Sequence, residues 1–168
     1  GSLGAKTLND CLTEGLERLL DKNIQIIWQC GSYYYEKLSE ELKDKLIDSV
    51  KLMPFLERMD YAYAAADFIV ARAGAGTISE LSVVGKPVVL VPSPNVSDDH
   101  QTKNALALSE HKAAIMVSDL SARMHLIDEL IAVIDDEATA YELGERIKEM
   151  ALLDADVVIA QEVLKMIK

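Results

Sequence analysis

Two spacings of apolar residues alternate along this chain. Residues 8, 12, 16 and 19 are leucines at the period of about 3.6 residues that marks one helix face, and the polar residues 21–23 should end this helix. A short apolar run follows at residues 24–29. The same alternation predicts further strands at residues 50–52, 68–71, 88–91 and 114–117. It predicts the other helices at or around residues 34–42, 59–66, 78–84, 104–108, 122–134, 137–150 and 155–167.

The predicted strands are continuous apolar runs, which indicates that helices cover both faces of the sheet. Strands that alternate with helices in this way form parallel sheets. We therefore predict an α/β fold with a doubly wound, Rossmann-like parallel sheet, built as one domain by residues 1–168. Gly85 stands where the 78–84 helix needs a C-terminal cap, since glycine adopts the left-handed conformation without strain.

Composition narrows the range of functions. The chain has 17 basic and 28 acidic side chains and a net charge of −11, which disfavours a nucleic-acid partner and direct contact with an anionic membrane. An aromatic content of 5% leaves little surface for base stacking. The apolar runs are too short to cross a bilayer, and Cys11 and Cys30 lack metal-ligand spacing. We therefore expect a cytosolic domain with two buried free thiols.

The first segment with candidate chemistry is residues 1–5, GSLGA, which leads into the first predicted helix. Ligands of doubly wound sheets bind beyond the carboxyl ends of the strands, where loops enter helices. Glycines at such a point let the backbone approach an anion, and Ser2 adds a hydroxyl. Taken alone, the segment fits better with an ordinary turn that follows two residues left from cloning.

The second segment, residues 72–80 with the sequence RAGAGTISE, leads from a predicted strand directly into a helix. Its small residues leave room for a ligand, and a helix N-terminus offers unpaired amides to a phosphate. It is neither a P-loop nor a strict GxGxxG fingerprint, because Ser79 stands at the third glycine position. Two interpretations of Glu80 stay open: it forms a capping box with Thr77, or its carboxylate accepts both hydroxyls of a ribose.

The third segment, residues 92–105, is a proline-bounded loop that opens into a helix. His100, Gln101 and Asn104 supply donors and acceptors of the kind that sugar hydroxyls require. The alternative is a solvated acidic cap, with Asp98 or Asp99 at the N-cap position.

Together these segments resemble the C-terminal, nucleotide-sugar-binding domain of the GT-B glycosyltransferases. The resemblance is carried by residues 1–5 with 7–9, 55–59 with 64–67, 72–80, and 99–101 with 104–105, and Gly85, Pro87 and Pro92 also fit. Order and spacing match over nearly the whole chain. GT-B enzymes have two Rossmann-like domains, so the resemblance implies that the N-terminal acceptor domain is absent from this sequence.

The resemblance also implies roles for individual residues. Ser2 would lie near the pyrophosphate, Leu56 and Met59 would border the uracil, and Glu80 would bind the ribose diol. The diphosphate would be approached by Ala75, Gly76 and Thr77, and the GlcNAc would face His100, Gln101 and Asn104. Gly76 departs from the leucine often found in the family, so a role for its side chain is not expected. Arg72 is either a diphosphate partner or, as we favour, part of a strand-end salt bridge.

Within the family, the chain is most similar to the inverting enzymes that transfer GlcNAc from UDP-GlcNAc to lipid-linked MurNAc-pentapeptide in peptidoglycan synthesis. The resemblance implies donor binding without a metal or other cofactor, and a catalytic base and lipid-linked acceptor site in the N-terminal domain. This chain alone would bind UDP-GlcNAc without turning it over. The whole enzyme would be peripheral on the cytoplasmic face of the bacterial plasma membrane, with no direct membrane contact by this domain.

Other interpretations are weaker but open. Residues 154–156 have the DxD form of metal-dependent transferases, yet they stand at a predicted helix start, where acids complement the helix dipole. A diacylglycerol-type glycolipid transferase would differ in its acceptor, and a non-hydrolysing UDP-GlcNAc 2-epimerase usually has a double glutamate that residues 79–81 lack. A non-enzymatic interaction domain would have no affinity for nucleotides.

Overall fold

The computed structural model describes residues 5–94 and 99–167, and five strands and eight helices lie within these residues. The strands are β1 (Ile26–Gln29), β2 (Val50–Met53), β3 (Ile69–Ala71), β4 (Val88–Leu90) and β5 (Ile115–Met116). The helices are α1 (Lys6–Leu20), α2 (Ser32–Glu41), α3 (Met59–Ala65), α4 (Ala75–Val84), α5 (His100–Glu110), α6 (Ala122–Asp135), α7 (Glu137–Glu149) and α8 (Ala155–Met166).

All the strand pairs in the described residues are parallel, which confirms the predicted α/β class. β1 pairs with β2, with Ile26 opposite Val50, and β4 lies between β3 and β5. Among the described residues these strands form two sheets, one of two strands and one of three. All three residues of β4 are buried, whereas those of β3 are only half-buried. β4 is the central strand of the larger sheet, since a strand pairs with each of its edges, and its burial agrees with that position.

Helix α1 joins the two sheets. Leu19 and Cys11 pack into the core that covers β4 and β5, while Leu16 packs against β1 and β2. The buried amide of Asn9 donates to the carbonyl oxygen of Cys30 at 2.9 Å. Its Oδ1 accepts the indole N–H of Trp28 at 3.0 Å, so both ends of this buried polar side chain are satisfied.

The end of α1 and the state of the cysteines confirm two predictions. Asn23 has a φ of 57°, in the left-handed region, and it stands where the polar residues after α1 predict a stop. Cys11 and Cys30 are both buried and free. Burial raises the pKa of both thiols, which keeps them in the unreactive protonated form.

Helix α4 ends as predicted but begins earlier. Gly85 has a φ of 66° and its N–H donates to the carbonyl of Leu81 at 3.0 Å, which confirms the C-terminal cap. The helix begins at Ala75 rather than at residue 78. Residues 75–77 are thus part of the first helical turn, whose amides have no acceptor within the helix.

Helix α8, like the shorter helix α3, has no buried residue. Its apolar side chains are exposed, with Ile159 at 63% and Leu164 at 63%. No helix in the described part of the chain combines the length and apolar character needed to cross a membrane.

Candidate functional site

The start of α4 lies at the carboxyl end of β3. Gly74 is the N-cap, with φ −66° and ψ 148°, and its carbonyl accepts the N–H of Ile78 at 2.9 Å. The amides of Ala75, Gly76 and Thr77 precede this first helical bond, so the helix itself supplies no acceptor for them. Ala75 and Gly76 are exposed, and a Cβ placed on Gly76 would meet no described atom within 4 Å. The first helical turn is therefore open to a ligand.

The N-terminus of α4 is suited to an anion. Gly74 has no side chain to cap the helix, and the first turn contains no acidic residue. Helices α1 and α5 likewise begin without an acidic first turn and without a side-chain cap bond. Because a helix N-terminus carries a partial positive charge, the start of α4 offers both amide donors and a favourable field to a phosphate.

The structure excludes the capping-box interpretation of Glu80. Thr77 lies inside the first turn rather than at the N-cap, so Glu80 cannot reach back to a capping partner there. Instead, the Oε2 of Glu80 accepts the hydroxyl of Tyr63 at 2.8 Å. The carboxylate of Glu80 therefore stands on the surface of α4, one turn after the open amides.

A groove of about 740 Å³ runs between α3 and α4. Met59, Tyr63 and Glu80 line it together, which brings two of the predicted nucleoside contacts to one surface. Burial and the nearby carboxylate of Glu80 raise the pKa of Tyr63, so its phenol keeps the proton that it donates.

Leu56 lies in the loop between β2 and α3, and a side chain from β1 holds its backbone. The N–H of Leu56 donates to the Oε1 of Gln29 at 2.9 Å. Gln29 is the last residue of β1, so this bond fixes the loop to the carboxyl end of that strand. The side chain of Leu56 is half-buried beside it.

The start of α5 lies beside the start of α4. The amide of Asn104 donates to the carbonyl oxygen of Ala73 at 3.0 Å, and the Oε1 of Gln101 accepts the N–H of Ser93 at 2.9 Å. His100 is the first residue of α5 and is exposed. Asp99 holds the N-cap position with a φ of 53°, as the acidic-cap alternative expects, but its side chain makes no capping bond.

Arg72 forms the strand-end salt bridge that we favoured. Its Nη1 lies 2.5 Å from the Oδ1 of Asp119 and also donates to the carbonyls of Val91 and Pro92, each at 3.1 Å. The hydroxyl of Thr7 donates to the other oxygen of Asp119 at 3.0 Å. These bonds tie the start of α1 to the loops that follow β3, β4 and β5.

The structure therefore brings most of the predicted site residues to one edge of the fold. Ser2 and Asp98 lie outside the described residues. Three residues that matter to this edge were not predicted: Gln29, Tyr63 and Asp119. The sequence contained a signal for Gln29 and Asp119, because each is polar and stands at or just after the carboxyl end of a strand. It contained no such signal for Tyr63, because the carboxylate that accepts its hydroxyl belongs to another helix.

Within residues 5–94 and 99–167, no three His, Cys, Asp or Glu side chains are grouped as a metal site would need.

Parallel strands, helices that connect them and polar loops at one edge define the class of this protein. It is a Rossmann-like α/β domain, a fold that binds nucleotides at the carboxyl edge of its strands.

Comparison with known proteins identifies the family. The family model described as "Glycosyltransferase family 28 C-terminal domain" matches residues 1–161. The chain belongs to this family, which confirms the predicted resemblance to the GT-B glycosyltransferases.

Two of the curated relatives share the name UDP-N-acetylglucosamine--N-acetylmuramyl-(pentapeptide) pyrophosphoryl-undecaprenol N-acetylglucosamine transferase. The relative from Bacteroides thetaiotaomicron is 47% identical over 168 residues, which cover 99% of this chain and 45% of that protein. The relative from Cytophaga hutchinsonii is 46% identical over 167 residues, covering 99% of this chain and 44% of that protein. The chain thus spans about half the length of these relatives.

A solved structure is similar over nearly the whole chain. The crystal structure of MurG from Acinetobacter baumannii aligns with a TM-score of 0.81 and 30% sequence identity. The alignment covers 98% of this chain and 48% of the MurG chain. The shared fold therefore corresponds to one half of that protein.

Proposed function

We propose that this chain is the donor-binding half of an inverting enzyme that transfers GlcNAc from UDP-GlcNAc to lipid-linked MurNAc-pentapeptide. The observation that carries the proposal is the start of α4, where open amides are followed one turn later by the carboxylate of Glu80. Membership of the family and the names of the relatives support the same substrates.

The diphosphate of the donor would bind at the start of α4. The amides of Ala75, Gly76 and Thr77 would donate to its oxygens, and the helix dipole would favour its charge. The chain carries a net charge of −11, so a local site of this kind is needed to hold an anion. Ser2 would add its hydroxyl from the segment before α1.

The uridine would bind in the groove between α3 and α4. Leu56 and Met59 would border the uracil, and Glu80 would accept hydrogen bonds from the two ribose hydroxyls. The GlcNAc would face the start of α5. There, the Nε2 of Gln101 is the donor end of a side chain whose Oε1 already accepts the N–H of Ser93. His100 and Asn104 would complete the sugar contacts.

In this proposal the leaving UDP is stabilised by fixed dipoles. As the glycosidic bond breaks, negative charge grows on the diphosphate, and amides that already point at it lower the barrier without reorganising. Donor binding in this chain would then require no metal or other cofactor. The base that deprotonates the acceptor and the lipid-linked acceptor site would belong to the other half of the enzyme, so this chain alone would hold the donor without turnover.

The exposed apolar side chains of α8 fit a position against that other half, because burying them there would remove them from water. The whole enzyme would act at the cytoplasmic face of the membrane, and this acidic half would not touch the lipid surface.

Calorimetry on this chain tests the proposal. We expect UDP-GlcNAc and UDP to bind, UDP-glucose to bind more weakly than UDP-GlcNAc, and Glu80→Ala to weaken all three by about tenfold or more, since hydrogen bonds to a charged group are lost. Glu129→Ala is the matched control, because Glu129 is an exposed glutamate in the middle of α6. Absence of nucleotide binding, or equal losses in both variants, would contradict the donor site.

A further inference from the structure

We infer that Tyr63 is a positioning residue that holds Glu80 for the ribose diol, and that it thereby sets the preference for ribonucleotides over deoxyribonucleotides. The inference rests on the proposed function, since it assumes that a uridine nucleotide occupies the groove between α3 and α4. Its basis is the hydrogen bond from the hydroxyl of Tyr63 to the Oε2 of Glu80, 2.8 Å long, between two helices that line this groove.

Glu80 needs such a partner because of where it stands. It is exposed on the surface of α4, and a glutamate side chain has several rotatable bonds. A free carboxylate would have to be ordered when the ligand binds, at a cost in affinity. The hydroxyl of Tyr63 supplies a charge-assisted hydrogen bond that orders it beforehand.

Tyr63 itself is held firmly. Its ring packs against the core formed by residues such as Leu81 and Leu90, which leaves the hydroxyl at the end of a fixed side chain. The Nζ of Lys86 donates to the carbonyl oxygens of Ala64, at 2.9 Å, and Ala66. Because Lys86 follows α4 and these carbonyls lie at the end of α3, the ammonium group of Lys86 holds the two helices together next to Tyr63.

The hydrogen bond leaves the acceptor capacity that a diol needs. A carboxylate has two oxygens and about four lone-pair positions, and Tyr63 occupies one position on Oε2. Oε1 and the second lone pair of Oε2 can accept the two ribose O–H groups. Burial and the carboxylate raise the pKa of Tyr63, so the phenol remains a donor at neutral pH.

The experiment measures the affinities of UDP and 2′-deoxy-UDP for this chain and for Tyr63→Phe, which keeps the ring in its packing site. We expect the substitution to weaken UDP by about fivefold, because the carboxylate of Glu80 must then be ordered when the nucleotide binds, and to weaken 2′-deoxy-UDP by much less. In a chain that already carries Glu80→Ala, Tyr63→Phe should cause no further loss of affinity for UDP. Tyr61→Phe is the matched control, since Tyr61 is on the same helix. The guanidinium carbon of Arg58 lies 3.8 Å from the centroid of the Tyr61 ring.

Unchanged binding of UDP by Tyr63→Phe, or an equal loss for both nucleotides, would overturn the inference and leave the proposed function standing. Failure of the wild-type chain to bind either nucleotide would instead contradict both. A thermal melt verifies that Tyr63→Phe folds. Should it not fold, Glu80→Asp supplies the second test, because the shorter side chain draws the carboxylate away from Tyr63. That variant should show the same loss of preference for UDP, and an unchanged preference would overturn the inference.

Discussion

Replacing Ala75 by proline should separate ligand binding from stability. Ala75 is the first residue of α4, the helical position at which proline is best tolerated, because the N–H that proline lacks has no partner within the helix. Gly74 precedes it with φ −66° and ψ 148°, which is the conformation that a residue before proline prefers. Proline therefore fits this backbone without strain.

The substitution should change stability and affinity for the ligand in opposite directions. A proline that fits the native backbone restricts the unfolded chain, so the free energy of unfolding should stay unchanged or rise by about 0.4–1 kcal/mol. A hydrogen bond to a charged group contributes about 1.5–3 kcal/mol, so losing one amide of the proposed diphosphate site should weaken the binding of UDP-GlcNAc by about tenfold to a hundredfold.

Urea unfolding and calorimetry with UDP-GlcNAc measure the two quantities on the same preparation. Glu137→Pro is the control, because it places proline at the first position of α7, which does not follow a strand, and it should leave binding unchanged. Undiminished binding by a stable Ala75→Pro chain would refute the assignment of the diphosphate to the start of α4. A large loss of stability would refute the N-cap geometry.

Two further predictions concern stability alone. A Cβ on Gly15 would lie 2.5 Å from the Cγ1 of Ile127, so Gly15→Ala should lower the free energy of unfolding by about 1–3 kcal/mol in urea, and an unchanged value would show that α1 and α6 pack more loosely than described. Hydrogen bonds from the hydroxyl and backbone N–H of Thr139 lower the pKa of Asp136, so this cap stabilises the fold above the ordinary pKa of an aspartate and loses its effect as pH falls through the lowered value. The difference in melting temperature between wild type and Asp136→Ala should therefore shrink in acid, and a constant difference would contradict the assignment.

Local patterns were enough to predict most of the elements. The leucine spacing of α1, the turn at Asn23 and the cap at Gly85 depend on neighbours in sequence, and each was confirmed. The start of α4 was predicted three residues late, because Gly74 and Gly76 have low helix propensity and make this segment look like a loop. Position in the first turn, where few helical bonds exist, explains why the helix tolerates Gly76.

Contacts between distant residues could not be predicted in the same way. The hydrogen bond between Tyr63 and Glu80 spans 17 positions and two helices, and the pair of Arg72 with Asp119 spans 47. Which side chains meet at such distances depends on how helices pack and on which strands become neighbours. The division of the described strands into two sheets is of the same kind, since strand pairing is not local.

An NMR titration of the isotope-labelled chain with UDP-GlcNAc would show directly where the donor binds. The largest shifts should occur at the backbone amides of residues 75–77 and at the side-chain amides of Gln101 and Asn104, while the amides of α7 stay unchanged. Shifts that are absent from the start of α4, or that are largest away from the carboxyl edge of the strands, would contradict a donor site there.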